Sequence, residues 1–283
     1  MRWLVTGGDG MLAADLLDRI AVSGDPVVAL GRSELDLCDA RAVRDFVCAY
    51  RPRVVVNCAA WTAVDDAEQH EAEATEVNGR AVRDLADACT RAGAKLLHLS
   101  TDYVFDGTGR EPYREDHPTA PVNAYGRSKL AGELAVLEHG HHIVRTAWLY
   151  GSGGQNFVKT MIRLATERDT VDVVADQRGQ PTWSADLADY LVRLAHSDLP
   201  PGVYHGTSSG ETTWYGLAVE IFTLLGLDPG RVRPVTSADF PRPAPRPANS
   251  VLAHTRWEPI RDWQSALHAA WPVLMRGRRC SVV

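Results

Sequence analysis

A tyrosine and a lysine four residues apart, Tyr125 and Lys129, are the residues of this sequence best suited to acid–base chemistry. Residues 124–137 predict a helix, and this spacing puts both side chains on one helix face, about one turn apart. A lysine ammonium favours phenolate over phenol, which makes the tyrosine a workable proton donor to a carbonyl group. The spacing alone is weak, because many solvated helix faces carry such a pair. Two further motifs give it weight.

The first motif is a glycine-rich turn after the first predicted strand, residues 2–6. Residues 7–13 read Gly-Gly-Asp-Gly-Met-Leu-Ala and lead into a predicted helix that runs to about Ile20. Such glycines let the backbone approach a pyrophosphate, which binds at the helix N-terminus. The alternative is an ordinary strand-to-helix turn, with the Asp9 side chain in solvent. The position at the first strand of an alternating chain favours a dinucleotide. The predicted contacts are Gly7, Gly10, Met11 and Leu12.

The second motif ends the fourth predicted strand, residues 95–100. The hydroxyls of Ser100 and Thr101 fall at its carboxyl end, where ligands bind in open α/β sheets. A hydroxyl there can polarise a carbonyl group beside the Tyr125 donor. The alternative is a hydroxyl that caps a turn, with Asp102 as a turn residue.

Strands and helices alternate along the first half of the chain. This alternation predicts an α/β fold, a Rossmann-type doubly wound parallel sheet with helices on both faces. The other predicted strands are 26–30, 54–57 and 142–147, and the other predicted helices are 40–50, 75–92, 157–167, 185–196, 213–225 and 263–274.

The alternation loosens after residue 151. We therefore predict a dinucleotide-binding domain over 1–151, to which later segments return, and a smaller C-terminal α/β substrate region over 152–283. The proline-rich stretch 240–247 predicts a loop, either a connector or a lid over substrate.

Composition narrows the class of protein. The 283 residues contain 45% hydrophobic and 23% charged residues, with a net charge of −6. The basic surface that nucleic acids require is therefore not expected. No apolar run reaches transmembrane length, the start lacks a signal-peptide pattern, and the five cysteines are scattered. We expect reduced thiols and a cytoplasmic protein that binds no membrane.

These motifs resemble the extended short-chain dehydrogenase/reductases, and more narrowly the dTDP-4-dehydrorhamnose reductase family that reduces 4-keto sugar nucleotides. The resemblance runs over most of the chain, and the Ser-Thr-Asp-Tyr-Val-Phe-Asp-Gly block at 100–107 is much more specific than the glycine motif. Met11 stands where many relatives have Gln, which suggests a divergent member that makes a deoxysugar for a natural product. Further matching segments are 57–65, 123–126, 145–151, 176–182, 202–205 and 246–250.

The resemblance implies an enzyme. Hydride passes from NADPH to C4 of a dTDP-linked 4-keto-6-deoxysugar, and Tyr125 gives its proton to the oxygen. Thr101 hydrogen-bonds the same oxygen, while Lys129 holds the nicotinamide ribose and lowers the pKa of Tyr125.

The end of the second strand favours NADPH over NADH. Sites that prefer NAD place Asp or Glu there on the ribose 2′-hydroxyl. This chain has Arg32 and Ser33, which suit a 2′-phosphate. NADH stays open, because Arg32 could be a solvated surface residue and Glu34 lies close.

The resemblance also implies binding residues outside the catalytic set. Asn78 is expected to be a structural hydrogen-bonding residue near the site. No metal ligands are predicted. The resemblance suggests a homodimer. Some relatives bind magnesium at the dimer interface, but we cannot match the ligand positions in this sequence. The further cofactor contacts are Leu37, Asp39, Ala59, Ala60, Thr62 and Ser100. The substrate contacts are Asp102, Tyr103, Val104, Trp148, Asn156 and Arg246. Trp148 is equally well explained as a core residue. For Arg246, pairing with phosphate is the favoured role.

Two alternatives share this scaffold. A 4-epimerase or 4,6-dehydratase would retain its nicotinamide through turnover, and the Asp102-Tyr103 pair argues against a dehydratase, where Asp-Glu is usual at that place. A non-catalytic NADP-binding subunit is the other, and the intact set of Thr101, Tyr125 and Lys129 argues against it.

Overall fold

A computed structural model describes residues 1–276, so Cys280 and the end of the predicted substrate region lie outside the described residues. The strands are β1 (Trp3–Thr6), β2 (Val27–Leu30), β3 (Val54–Asn57), β4 (Lys95–Thr101), β5 (His142–Thr146), β6 (Leu149–Tyr150), β7 (Val171–Val174), β8 (Arg178–Gly179), β9 (Thr182–Trp183), β10 (Gly202–His205), β11 (Ser208–Ser209), β12 (Thr212–Thr213), β13 (Val232–Val235) and β14 (Ile260–Asp262). The helices are α1 (Met11–Ser23), α2 (Ala40–Tyr50), α3 (Glu71–Thr75), α4 (Ala81–Ala92), α5 (Ala124–Glu138), α6 (Phe157–Glu167), α7 (Ser184–His196), α8 (Trp214–Leu224) and α9 (Trp263–Leu274).

Within the described residues the central sheet has six strands in the order β10-β5-β4-β3-β1-β2. Every neighbouring pair is parallel. The chain order reverses between β1 and β3, which places a crevice at their carboxyl ends, the usual ligand position in such sheets. The predicted doubly wound parallel sheet is confirmed, and β10 shows that the later half of the chain adds a strand to it.

The strands are buried on both faces because helices cover each side of the sheet. Trp3 and Val5 pack with α1 and α7, whereas Leu4 between them packs with α2 and α4. Successive side chains on a strand point to opposite faces, so a continuous apolar run marks a strand that is covered twice.

The predicted helix at 75–92 is instead two α-helices joined by a π-helical segment, Glu76–Arg80. Asn78 lies in that segment and bridges two elements. Its Oδ1 accepts the Trp61 backbone N–H at 2.8 Å, and its Nδ2 donates to Ser128 Oγ in α5 at 2.9 Å. Its expected structural hydrogen bonding is confirmed. Single π turns are frequent beside functional sites, because they redirect a side chain without ending the helix.

The later part of the chain builds a second apolar core from α6, α8 and α9. Paired short strands accompany these helices, among them β7 with β13 and β6 with β9. Residues 240–247 contain neither helix nor strand, as their proline content predicts. Within residues 1–276, no helix combines the length and the apolar character needed to cross a membrane.

Candidate active site

A cleft of about 920 Å³ opens at the carboxyl edge of the sheet. This volume lies in the range of small-molecule and cofactor sites. Of the predicted site residues, it is lined by Gly7, Gly10, Met11, Leu12, Arg32, Leu37, Ala59, Ala60, Thr62, Ser100, Thr101, Asp102, Tyr103, Tyr125, Lys129 and Trp148.

The glycine turn forms one wall of the cleft and needs its glycine at position 7. Gly7 has φ +70°, the left-handed region that favours glycine, and a Cβ there would lie 2.6 Å from the Ala59 nitrogen. Gly10 donates its N–H to the Gly7 carbonyl at 3.0 Å, and α1 begins at the next residue. The free N–H groups of that first helical turn are suited to an anionic group.

The end of β2 presents one cation to the cleft. The Arg32 side chain is 82% exposed and lies 3.7 Å from Asp36, so it is free to reorient toward a ligand. Leu37 lines the cleft, but Asp39 does not. The Asp39 carboxylate instead accepts the N–H groups of Arg41 and Ala42 as the N-cap of α2. The structure therefore gives Asp39 a capping role, and its predicted adenine contact stays a prediction.

The predicted catalytic residues converge in the cleft. Thr101 ends β4, and its hydroxyl accepts the Tyr103 N–H at 3.1 Å and donates to Asp102 Oδ1 at 3.0 Å. Tyr125 lies in the first turn of α5, whose N-terminus is capped by Asn123. A single helix thus carries Tyr125 and Lys129 toward the strand end that carries Thr101.

Burial, and then the nearby Asp102 carboxylate, raise the pKa of Tyr125, while the Thr101 hydroxyl opposes them. The net shift is thus upward, opposite to the direction expected from Lys129 alone, and Lys129 is not among its causes in the ligand-free protein. The physical reason is desolvation, which disfavours the phenolate. A raised pKa keeps Tyr125 as the phenol, the form that can donate a proton.

Lys129 is buried beneath the cleft. Its ammonium nitrogen donates to the Leu99 carbonyl at 2.7 Å. Burial lowers the pKa of Lys129 to about 8, against the opposing effect of Glu133 and Cys58. The lysine therefore titrates close to physiological pH, which suits a group that assists proton transfer.

Asp102 and Tyr103 lie beside Tyr125. Burial raises the pKa of Asp102 to about 6, although Ser250 and Thr101 hydroxyls counteract it. The Tyr103 ring meets Tyr125 edge to face, with centroids 6.0 Å apart. The Val104 side chain is buried in an apolar cluster and does not line the cleft, so the predicted substrate contact is not available to that side chain.

Two stacked tryptophans form the far wall of the cleft. The rings of Trp148 and Trp214 lie 3.6 Å apart, centroid to centroid, with an interplanar angle of 7°. Trp148 has φ +45°, an uncommon conformation for a bulky residue that marks local strain. The absence of a side chain at Gly179 provides room for the Trp148 ring, because a Cβ there would collide with it.

The last two predicted contacts lie outside the lining of the cleft. Asn156 caps α6 and donates through Nδ2 to the Gly151 carbonyl at 2.9 Å. Arg246 is 17% exposed and pairs with Asp65 at 2.9 Å. Both side chains therefore already have protein partners.

Residues that sequence reasoning missed also line the cleft. One of them is Trp214, which follows β12 without any motif around it, so its contact with Trp148 follows only from the folded arrangement. Asp9, expected in solvent, is exposed, but its carboxylate lies against Gly31 at the end of β2. The other missed lining residues are Leu35, Asp36, Cys38, Cys58, Trp61, Val64, Val77, Leu99, Thr146, Ala147 and Leu149.

Comparison with known proteins yields a consistent group of relatives. The family model described as "RmlD substrate binding domain" matches residues 1–274. A dTDP-4-dehydrorhamnose reductase of Streptomyces griseus is 56% identical, over 96% of this chain and 94% of the relative. A dTDP-4-keto-6-deoxy-D-glucose reductase of Streptomyces niveus is 52% identical, over 96% of this chain and 97% of the relative.

A solved structure agrees with these relatives in fold. The crystal structure of a dTDP-4-dehydrorhamnose reductase from Bacillus anthracis, in complex with NADP, superposes with a TM-score of 0.91. It is 38% identical to this chain, and the match covers 96% of this chain and 98% of the other.

Proposed function

We propose that this protein is an NADPH-dependent sugar-nucleotide 4-ketoreductase, because of the family to which it belongs. The chain is a member of the dTDP-4-dehydrorhamnose reductase family of extended short-chain dehydrogenase/reductases. It reduces the C4 keto group of a dTDP-4-dehydro-6-deoxyhexose, dTDP-4-dehydrorhamnose or a related deoxysugar, to the 4-hydroxy sugar. The observation that carries this function is the convergence of Thr101, Tyr125 and Lys129 in the cleft beside the glycine turn.

The residues of the cleft fit a dinucleotide. Gly7 and Gly10 bring the backbone of the turn close to the start of α1, and that helix terminus would hold the pyrophosphate. Arg32 would hold the 2′-phosphate that distinguishes NADPH from NADH. Ala59, Ala60 and Thr62 would border the cofactor after β3. Bound NADPH supplies the hydride.

Three side chains handle the oxygen at C4. Tyr125, which its surroundings keep as the phenol, donates a proton to that oxygen as negative charge develops. Thr101 lies beside Tyr125 and positions the same oxygen by a hydrogen bond. Lys129 holds the nicotinamide ribose and is the group from which Tyr125 can recover a proton, because its pKa of about 8 lies near the working pH.

The sugar nucleotide extends from C4 toward the later half of the chain. Trp148 and Trp214 offer aromatic surface, and Asp102 and Tyr103 offer polar groups, where the cleft meets that half. On the basis of Trp214 and of the family resemblance, we assign residues 152–283 mainly to substrate binding and residues 1–151 to the dinucleotide, with later segments such as β10 returning to the first domain. Arg246 would leave Asp65 to pair with a phosphate of the diphosphate.

Two properties of the whole protein are further proposals. A cytoplasmic location fits the four cysteines of the described residues, all of which are free thiols. A homodimer follows from the family resemblance, and sedimentation of the purified protein tests it.

The function is tested by measuring NADPH oxidation by the purified protein with a panel of dTDP-4-keto-6-deoxysugars. The configuration at C4 of each product is then determined. We expect stoichiometric NADPH consumption with at least one dTDP-sugar. A 4-epimerase or dehydratase would convert its substrate without net consumption of NADPH. A non-catalytic subunit would bind NADPH and oxidise none.

A further inference from the structure

Beneath the catalytic lysine lies a line of buried polar side chains that the reaction as described does not use. It runs from Thr6 in β1 to Asn57 in β3 and His98 in β4, and it ends at Lys129 in α5. None of these four residues is more than 2% exposed. Buried polar groups are costly unless each has a partner, so the direction of every hydrogen bond here is constrained.

The amide of Asn57 can adopt only one orientation. One of its terminal atoms lies 3.1 Å from the Ala59 backbone nitrogen, whose N–H can only donate. That atom must therefore be the carbonyl oxygen, which also accepts the Thr6 hydroxyl at 2.7 Å. The amide nitrogen is consequently turned toward His98 Nδ1, at 3.0 Å.

This orientation fixes the tautomer of His98. An amide nitrogen only donates, so His98 Nδ1 must accept and carries no proton. The pKa of His98 lies well below its usual value, mainly because the ring is buried and to a smaller extent because Lys129 is nearby, and this keeps the ring neutral. The single ring proton is therefore on Nε2, which lies 3.4 Å from the Lys129 nitrogen.

An N–H in that position discriminates between the two forms of the lysine. The ammonium has only protons to present, so it faces the Nε2–H donor to donor. The uncharged amine has a lone pair that can accept this hydrogen. The other groups around Lys129 favour the ammonium, because the Leu99 carbonyl accepts from it and Glu133 and Cys58 favour its charge, whereas burial opposes the charge.

We propose that His98 is a positioning residue for proton transfer, held by Asn57 in the tautomer that directs an N–H at Lys129 and disfavours its ammonium form. The proposal rests on the proposed function for its use in turnover. In that role, His98 makes Lys129 give up its proton more readily toward Tyr125, which must be reprotonated after each reduction.

The tautomer can be tested directly in the ligand-free protein. Long-range ¹⁵N–¹H spectra of histidine distinguish the two neutral tautomers, and we expect His98 as Nε2–H. The substitution Asn57→Asp keeps acceptors for Thr6 and Ala59 but also accepts from His98, so it should move the ring proton to Nδ1. An Nδ1–H tautomer in the wild type overturns the proposal.

The effect on the lysine can be tested because the chain has only three lysines, Lys95, Lys129 and Lys159. Spectra of ¹³Cε-labelled lysine will show one signal for each, and Lys129→Met identifies the relevant one. His98→Leu should raise the pKa of Lys129 by about one unit, a tenfold rise in proton affinity.

The matched control is His141→Leu. His141 is also buried and hydrogen-bonded. It precedes the amino end of β5, whereas the cleft lies at the carboxyl ends of the strands. It should leave the pKa of Lys129 unchanged, and an equal shift in both histidine variants overturns the proposal. Neither the tautomer of His98 nor the pKa of Lys129 requires substrate for its measurement, so both results would remain valid if the proposed reduction failed.

Turnover gives the last readout. If the ammonium form is required, kcat/KM falls as pH rises through the pKa of Lys129, and His98→Leu should move this alkaline limb upward by about one unit. An alkaline limb that does not move would overturn the role of His98 in turnover.

Discussion

At the scale of single residues, burial shifts the pKa of three ionisable groups of the site in the direction that favours the uncharged form. Burial raises the pKa of Asp102 to about 6 and lowers that of Lys129 to about 8. It also raises the pKa of Tyr125, so the tyrosine retains the proton that it must donate. Desolvation is the largest cause in all three cases, and it follows from folding rather than from residue type.

Replacing the catalytic phenol should separate chemistry from binding. We expect Tyr125→Phe to lower kcat by about 10²–10⁴-fold, because general-acid catalysis is lost while the ring remains. NADPH affinity, measured by fluorescence titration, should stay near that of the wild type. A variant with near wild-type turnover would show that another group donates the proton.

The buried carboxyl of Asp102 should cost stability. Its folded-state pKa, about 6, lies above the unfolded value of 3.8, so the cost is absent below about pH 4 and complete above about pH 6. Asp102→Asn should therefore raise the free energy of unfolding at about pH 8, by up to about 3 kcal/mol. This gain should shrink as pH falls to about 4.5. Urea denaturation at both pH values measures it, and a pH-independent gain would contradict the assignment.

At the scale of elements, the site depends on how the segments around the cleft are tied together. The proline-rich loop at 240–247 is fixed at two places. Asn123, the N-cap of α5, donates to the Pro245 carbonyl at 2.9 Å, and Asp65 pairs with Arg246 at 2.9 Å. The loop is thereby joined to the start of the helix that carries Tyr125.

This arrangement allows the role of Arg246 to be tested. If Arg246 pairs with the diphosphate, Arg246→Ala should raise KM for the dTDP-sugar by about 10–150-fold with a smaller change in kcat. Asp65→Asn is the matched control, because it weakens the tie to the loop but keeps the cation. It should raise KM much less. Equal increases would mean that Arg246 acts by holding the loop rather than by contacting the ligand.

At the scale of the whole molecule, periodicity predicted the parallel sheet of the first half of the chain but not β10 or the short strands of the later half. Continuous apolar runs such as the three valines of β3 identified strands covered on both faces, and α2, α6 and α9 begin and end where predicted. The π segment around Asn78 was not predictable, because its sequence continues a helical pattern.

The candidate site was predictable only in part, for a related reason. Short-range patterns placed Tyr125, Lys129 and Thr101 at one edge of the sheet. The Trp148–Trp214 stack and the pairing of Arg246 with Asp65 join residues far apart in the chain, and no local pattern encodes them. The direction of the Tyr125 pKa shift likewise depends on burial, which spacing does not report.

The central claim is that this protein delivers hydride to C4 of a dTDP-linked keto sugar. The most direct measurement is turnover of dTDP-4-dehydrorhamnose with NADPH deuterated at the transferred position, followed by NMR of the product. We predict one deuterium at C4 of the product sugar, one NADPH consumed for each sugar, and product formation about 10²–10⁴-fold slower with Tyr125→Phe. Deuterium at another carbon, or a changed sugar without net consumption of NADPH, would contradict the account.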